Sequence, residues 1–191
     1  MPKEPFTGKM DLYENGKGEN MVYIIGAIGV MLIVMADRLT KWLAVEYVMP
    51  RNVDGGISII DGVFRLFYTE NMGAAWGMLA GRSLLLSAVS LIITAGLVYF
   101  YICLPKYVKQ EKLYTAMRVA LIMAAGGAIG NLIDRIQANP VVDMFHFYLI
   151  DFPIFNVADI FIVCGLFLLA ILMFFVKDEK KQVKEDTENA E

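Results

Sequence analysis

Two aspartates near apolar segments are the residues of this sequence best suited to chemistry. Asp143 and Asp159 have no lysine or arginine beside them in the chain. Two carboxylates brought together in a partly dry cleft cannot both ionise cheaply, so one keeps its proton and the pair can hold a water molecule. The ionised partner accepts a proton from the water as it attacks a carbonyl, and the protonated partner donates to the carbonyl oxygen. The pair indicates aspartic hydrolysis, and the alternative is two buried acids that cap helices or relay protons.

Other catalytic chemistries have little support in the sequence. There is one histidine, His146, and no H-E-x-x-H or comparable cluster, so no metal site is predicted. The absence of a G-x-S-x-G motif argues against a serine nucleophile. Carboxylates remain as the groups that could carry a reaction.

Further polar residues lie at the ends of the apolar segments. Asp37 and Lys41 are four residues apart, which is the spacing of an ion pair on one helix face. Asp134 adjoins Arg135, and Asn131 lies one turn before Arg135. We predict that this group anchors helix ends through hydrogen bonds and charge pairing, and that its two acids are structural.

The composition predicts a membrane protein. The chain has 191 residues, of which 58% are hydrophobic and 19% are charged. Soluble domains carry about 25% charged residues, so this chain lacks the polar side chains that a soluble surface needs. The formal net charge of -3 gives no basic excess, and nucleic acid is therefore not an expected partner.

Four apolar segments approach or reach the length of about 20 residues that crosses a hydrocarbon core. They make up a predicted membrane domain over residues 21–176, between charged tails at 1–20 and 177–191. The tails are expected to be solvated and frayed. The predicted spans cover about residues 21–44, 83–104, 118–136 and 154–176.

Basic residues predict how these spans are oriented. Lysine and arginine are enriched in cytoplasmic loops, and an even number of spans puts both tails on the same side. Both termini are therefore predicted to be cytoplasmic, and the conspicuous polar residues of the spans then fall at one outer depth, where a shared site would form. The basic residues of the cytoplasmic side are Lys3, Lys9, Lys17, Lys106, Lys109, Lys112, Arg118, Lys177, Lys180, Lys181 and Lys184.

Two loops lie on the predicted outer side. The first, residues 45–82, contains β-branched and aromatic runs broken near Gly55 and Gly62, which predicts one or two short strands with a turn. The second, residues 137–153, is rich in aromatic residues and is expected to be a loop at the membrane interface.

Five sequence blocks, in order along the chain, resemble those of the bacterial lipoprotein signal peptidases (signal peptidase II). The resemblance covers about residues 36–160 and agrees with the four-span layout. Each block is short, but five in order on one topology are highly specific. The blocks are DRLTK at Asp37–Lys41, NMGAAWG at Asn71–Gly77, GGAIGNLIDR at Gly126–Arg135, VVD at Val141–Asp143 and FNVAD at Phe155–Asp159.

The resemblance implies a cofactor-free aspartic endopeptidase of the bacterial cytoplasmic membrane that cleaves diacylglyceryl-modified prolipoproteins before the lipidated cysteine. Its fold would be an α-helical integral membrane protein with four transmembrane helices, a small extracytoplasmic β-cradle and a surface helix. We expect a monomer in contact with membrane lipids and sensitive to globomycin-type inhibitors. The family's catalytic dyad corresponds to Asp143 and Asp159. Positions that bind substrate or support the dyad correspond to Asp37, Lys41, Asn71, Asn131, Asp134, Arg135 and Asn156.

Two hypotheses from other functional classes stay open at this point. Carboxylates inside a membrane also suit a small proton- or ion-coupled transporter. Such a protein would usually place acids near the midplane, whereas the second predicted span has none. The other hypothesis is a membrane scaffold that binds lipidated proteins without cleaving them.

Overall fold

The computed structural model describes residues 16–73, 83–104, 108, 110–137, 140–150 and 152–188, with the backbone alone at 16–19, 83–84 and 177–188. Within this part of the chain, four helices are long and apolar enough to cross a membrane, as the sequence predicts. The helices are α1 at Gly16–Leu43, α2 at Ser83–Cys103, α3 at Glu111–Ile136 and α4 at Val157–Glu188.

Helix α3 lies at the centre of the bundle. In its apolar stretch 67% of the residues are buried, against 11% in the corresponding stretches of α2 and α4. Glycines on both sides of the contact between α3 and α4 let the two helices approach closely. A Cβ on Gly127 would lie 2.9 Å from Cγ1 of Ile162, and one on Gly165 would lie 2.7 Å from the carbonyl oxygen of Ala120. Because α3 touches all three other helices, its polar residues can organise a site between them.

Helix α3 begins about two turns before the predicted third span. The sequence assigns Arg118 to the end of a cytoplasmic loop, but α3 begins at Glu111 and Arg118 is buried inside it. Its guanidinium donates to the hydroxyls of Tyr101 and Tyr114 and lies 5.7 Å from the ring of Tyr23. The prediction that the polar residues of the spans share one depth therefore fails for Arg118. This cation can be buried because aromatic rings surround it.

Helix α4 also extends beyond its predicted end. Its backbone stays helical to Glu188, through most of the charged segment that the sequence indicates is a frayed tail. This segment is rich in lysine and glutamate, which have high helix propensity. A span that ends at residue 176 can thus continue as the same helix.

A three-stranded antiparallel sheet in the order β1-β2-β3 lies beside the bundle, with β1 at Ile57–Ile60, β2 at Phe64–Asn71 and β3 at Val141–Phe147. The hairpin of β1 and β2 confirms the strands predicted in the first outer loop. Its turn contains Gly62 with φ 78°, a conformation that other residues rarely adopt. Strand β3 corrects the prediction of an aromatic loop over residues 137–153.

A β-bulge interrupts the pairing of β2 with β3. Leu66 lies opposite Phe145, and Thr69 lies opposite Asp143, so β2 has one residue more than β3 between these pairs. Bulges bend a strand and redirect its side chains, and they are frequent beside functional sites. Asp143 pairs immediately beyond this bulge.

Two short helical turns, Ala44–Val48 and Met49–Asp54, join α1 to the sheet. They lie in the first predicted outer loop, the region that suits the surface helix of the expected fold. Ala44 and Val48 are buried against Met144 of β3. This contact holds the end of α1 against the strand that carries Asp143.

Candidate active site

Asp143 and Asp159 come from different elements that the backbone brings together. Phe155 forms an isolated bridge with Phe145 of β3: the Phe155 N–H donates to the Phe145 carbonyl at 3.1 Å, and the Phe145 N–H donates back at 2.9 Å. The next residue, Asn156, therefore lies beside Asp143. Helix α4 begins at Val157, so Asp159 lies in its first turn.

Asn156 and Asp159 form a reciprocal cap at the start of α4. The Asp159 N–H donates to Oδ1 of Asn156 at 3.0 Å, and the Asn156 N–H donates to Oδ2 of Asp159 at 3.2 Å. This arrangement has the geometry of a capping box, in which residues three apart satisfy each other's free backbone donors. The spacing of FNVAD thus holds the Asp159 carboxylate in one orientation.

Amide groups surround the two carboxylates. Asn131 donates from Nδ2 to Oδ1 of Asp159 at 2.7 Å. Asn156 donates from Nδ2 to Oδ1 of Asp143 at 2.6 Å, and Asn71 donates from Nδ2 to Oδ2 of Asp143 at 3.1 Å. With the Asn156 main chain on Asp159, all four carboxylate oxygens accept an N–H. Among the residues that the structure describes, neither carboxylate has a salt bridge that would neutralise it.

The environment of Asp143 favours its protonated form. Burial, followed by the nearby charge of Asp159, raises the pKa of Asp143 to about 7, although hydrogen bonds from Asn71 and Asn156 act in the opposite direction. Asp143 as a whole residue is 2% exposed, so water solvates its charge poorly. Near neutral pH this site can hold a proton that an exposed aspartate would have lost.

Lys41 occupies the centre of a buried charge cluster behind the two carboxylates. Its Nζ donates to Oδ2 of Asp37, to Oδ2 of Asp134 and to Oδ1 of Asn131 at 2.8, 2.8 and 2.9 Å. A lysine ammonium has three N–H donors, so all of them are used within the protein. The predicted ion pair of Asp37 with Lys41 is confirmed, and Lys41 has no donor left for a substrate.

Asp134 pairs with cations of α1 and not with its neighbour Arg135. Arg38 Nη1 lies 2.6 Å from Oδ1 of Asp134, while Lys41 contacts Oδ2. Arg135 turns toward α2 and donates from Nη1 to Oγ of Ser90 at 3.2 Å. Adjacent residues on a helix point in different directions, so sequence proximity gives the wrong partner here.

The comparisons with known proteins now identify the family. A family model described as signal peptidase (SPase) II matches residues 29–175. The chain belongs to this family. A lipoprotein signal peptidase of Clostridium acetobutylicum is 39% identical over 167 residues, which cover 86% of this chain and 99% of the relative. That of Bacillus subtilis is 40% identical over 156 residues, which cover 80% and 94%.

Solved structures agree with this assignment to the signal peptidase II family. A structure described as a bacterial membrane enzyme aligns with a TM-score of 0.65 and 29% identity, over 82% of this chain and 90% of that one. A second, with the same description, gives a TM-score of 0.62 over 78% and 92%. The four helices and the small sheet therefore form the fold of a multi-pass bacterial membrane enzyme.

The expected site residues of this signal peptidase II family member divide into two groups by exposure. The partly exposed residues are Asn71, Arg135 and Asp159. The buried residues are Asp37, Lys41, Asn131, Asp134, Asp143 and Asn156. The first group is open to a ligand, whereas the second is covered by the protein.

Several contacts of the site were missed from the sequence. Arg38 bridges two acids, Ser90 holds Arg135, and the N–H of Ala158 donates to Oδ1 of Asp37 at 3.2 Å. Arg38 is a charged residue within a membrane span, and that signal alone could have marked it for attention. Among the described residues no group of three or more histidine, cysteine, aspartate or glutamate side chains is arranged to hold a metal ion.

Proposed function

We propose that this chain is an aspartic endopeptidase that removes signal peptides from diacylglyceryl-modified prolipoproteins by cleavage before the lipidated cysteine. The observation that carries the proposal is the link between Asp143 and Asp159: Asn156 donates to both carboxylates. The substrate class comes from the relatives, which are named lipoprotein signal peptidases. The signal peptidase II family match does not favour the transporter hypothesis.

The reaction begins with one proton shared between Asp143 and Asp159 and a water molecule held between them. The ionised carboxylate takes a proton from the water while the water oxygen bonds to the carbonyl carbon of the scissile peptide. The protonated carboxyl gives its proton to the carbonyl oxygen. A neutral gem-diol forms, and the two aspartates have exchanged protonation states.

The second half of the reaction restores the pair. The aspartate that is now protonated gives its proton to the amide nitrogen as the C–N bond breaks. The other accepts a proton from one hydroxyl of the gem-diol, and a carboxylic acid and a free amine leave. Since the pair titrates as a unit, the raised pKa of Asp143 supports one retained proton near neutral pH without assigning it to a single oxygen.

The position of the site fits a lipid-anchored substrate. The end of α1, the end of α3 and the start of α4 all contribute to it, so it lies at one end of the bundle. A cysteine that carries diacylglyceryl chains stays in the outer leaflet, which places its peptide bond near the outer interface. We therefore propose that the site faces outward and that both termini are cytoplasmic. Reporter fusions to the C-terminus and to Asp54 would test this topology.

A gel-shift assay tests the reaction class directly. Purified enzyme is incubated with a diacylglyceryl-modified prolipoprotein, and with the unmodified form, with and without globomycin. Asp143→Asn and Asp159→Asn are each expected to abolish cleavage while the protein stays folded in detergent. The matched control is Asp54→Asn, because Asp54 is an exposed aspartate of the outer loop. Size measurement of the same sample tests the expected monomer.

Three outcomes would contradict the proposal. Substantial turnover by either dyad variant would remove the assigned residue from the reaction. Equal cleavage of the unmodified precursor would remove the lipid requirement. Tight substrate binding without product, beside an active control peptidase, would favour the scaffold hypothesis.

A further inference from the structure

We propose that Arg38 is a positioning residue for the dyad, an inference that rests on the proposed function. Its guanidinium lies 2.6 Å from Oδ1 of Asp134 and 3.2 Å from Oδ2 of Asp37, and it donates to the carbonyl oxygen of Gly130 at 3.3 Å. It therefore ties α1 to α3 at the level of the site. It touches neither Asp143 nor Asp159 in these contacts, so any effect on them passes through other residues.

The cluster of Asp37, Arg38, Lys41 and Asp134 is balanced in charge, with two acids and two cations. The side chains of Asp37 and Lys41 are 0% and 5% exposed, so an unpaired charge beside either of them would be strongly destabilising. Lys41 and Arg38 each bridge the same two carboxylates. Removal of the Arg38 charge would leave one net negative charge in this buried space.

One path from this cluster to the dyad runs through the side-chain amide of Asn131. Lys41 carries donors only, so its contact with Asn131 requires the amide oxygen on that side. The opposite end of Asn131 is then the NH₂ group, which donates to Oδ1 of Asp159 at 2.7 Å. Lys41, together with Asn156 Nδ2, which donates to the same oxygen at 3.2 Å, thus turns the NH₂ group of Asn131 toward Asp159. Arg38 shares with Lys41 the carboxylates that hold this ammonium.

The geometry of Arg38 itself supports a positioning role. Its Nε is buried and has no hydrogen-bond partner within the described part of the chain. A guanidinium placed only for its own hydrogen bonding would not leave this donor unsatisfied. Its two terminal nitrogens instead contact one carboxylate each, Nη1 on Asp134 and Nη2 on Asp37, while Nη2 also donates to the Gly130 carbonyl oxygen. The planar guanidinium fixes the directions of these contacts, which a lysine ammonium does not.

The test compares Arg38→Lys and Arg38→Gln with wild type in the gel-shift assay, with kcat and KM measured separately. Arg38→Gln is expected to lower kcat about tenfold or more with KM within about twofold, because the dyad is misplaced while substrate contacts remain. Arg38→Lys should restore part of the lost kcat. Arg51→Gln is the matched control, because Arg51 is an exposed arginine of the outer loop.

A double variant tests the proposal even if Arg38→Gln alone does not fold. Arg38→Gln with Asp134→Asn restores the charge balance, so its kcat should be no lower than that of Asp134→Asn alone. A further tenfold loss in the double variant would overturn the charge balance as the means by which Arg38 acts on the dyad. The role of Arg38 itself would be overturned by a wild-type kcat for Arg38→Gln, or by a loss confined to KM, which would place Arg38 in substrate contact.

Wild-type enzyme in the same experiment separates this inference from the function on which it rests. Cleavage by wild type with full activity in Arg38→Gln overturns only the role of Arg38. Absence of wild-type cleavage beside an active control peptidase overturns both proposals.

Discussion

Gly130 and Asp37 lie in contact across the interface of α1 and α3. A Cβ on Gly130 would stand 2.8 Å from Oδ2 of Asp37 and 3.2 Å from its Cγ. That oxygen also accepts from Lys41. The glycine therefore provides the space in which the charge cluster behind the dyad is built.

Gly130→Ala should destabilise the protein by about 1 to 3 kcal/mol, because the added methyl group overpacks a buried carboxylate that cannot move without breaking its ion pairs. Thermal unfolding in detergent measures the change. The control is Gly96→Ala in α2, where no atom lies within 4 Å of the added Cβ. Equal melting temperatures for the two variants would mean that the interface adjusts freely.

Asp143→Asn should be more stable than wild type at pH 8 although inactive. Burial raises the pKa of Asp143 to about 7, so the folded protein binds its proton more tightly than the unfolded chain does. That stabilisation is complete below about pH 4 and is lost as pH rises to about 7. Asparagine carries no charge, so the free energy of unfolding of the variant should rise relative to that of wild type by roughly 1 to 4 kcal/mol across this range.

Melting temperatures of Asp143→Asn and wild type at pH 5, 6, 7 and 8 follow this difference. It should grow with pH and level off above about 7. A difference that shrinks as pH rises would show that the charged form of Asp143 is favoured in the fold. Asp54→Asn controls for the loss of an aspartate elsewhere.

The alkaline limb of the pH profile should respond to Asn71. The proposed reaction needs one proton on the pair, so kcat/KM should fall as pH rises above about 7. The hydrogen bond from Asn71 lowers the pKa of Asp143, hence Asn71→Ala should raise it and move the limb to higher pH. A limb that stays in place, or moves to lower pH, would contradict this assignment.

Two substitutions of Asn156 should separate its structural and functional contacts. Asn156→Ser keeps a side-chain oxygen that caps α4 but loses the amide N–H that reaches Asp143, so stability should be nearly preserved while kcat falls. Asn156→Ala loses both, and should cost about 1 kcal/mol more in stability. Matched activity in the serine variant and wild type would show that the bond to Asp143 is dispensable.

The sequence predicts what depends on local pattern. The four spans follow from apolar length, and the hairpin of β1 and β2 follows from its turn glycine and its β-branched residues. The ion pair of Asp37 with Lys41 follows from helical spacing. The structure also brings Asp143 and Asp159 to a shared partner, as the pattern of acids and the family blocks led us to expect.

Contacts between distant segments escape such reasoning. Strand β3 forms because it pairs with β2, whose residues lie 70 to 83 positions earlier, and its aromatic residues alone suit a loop at a membrane interface equally well. Arg38 finds Asp134 across a helix interface that no local rule specifies. The start of α3 was missed because charged residues continue a helix beyond the apolar stretch, where a hydropathy pattern gives no signal.

The bulge between Leu66 and Thr69 makes the site sensitive to chain length in a segment that supplies none of its own residues. Side chains alternate between the two faces of a strand, so a shift of one residue reverses every side chain that follows. Because of the extra residue, the side chains at the aromatic end of β2 and the side chain of Asn71 at the other end each point to the face that their contacts require. Deletion of one residue from this segment would conserve every polar group of the site and still turn Asn71 away from Asp143.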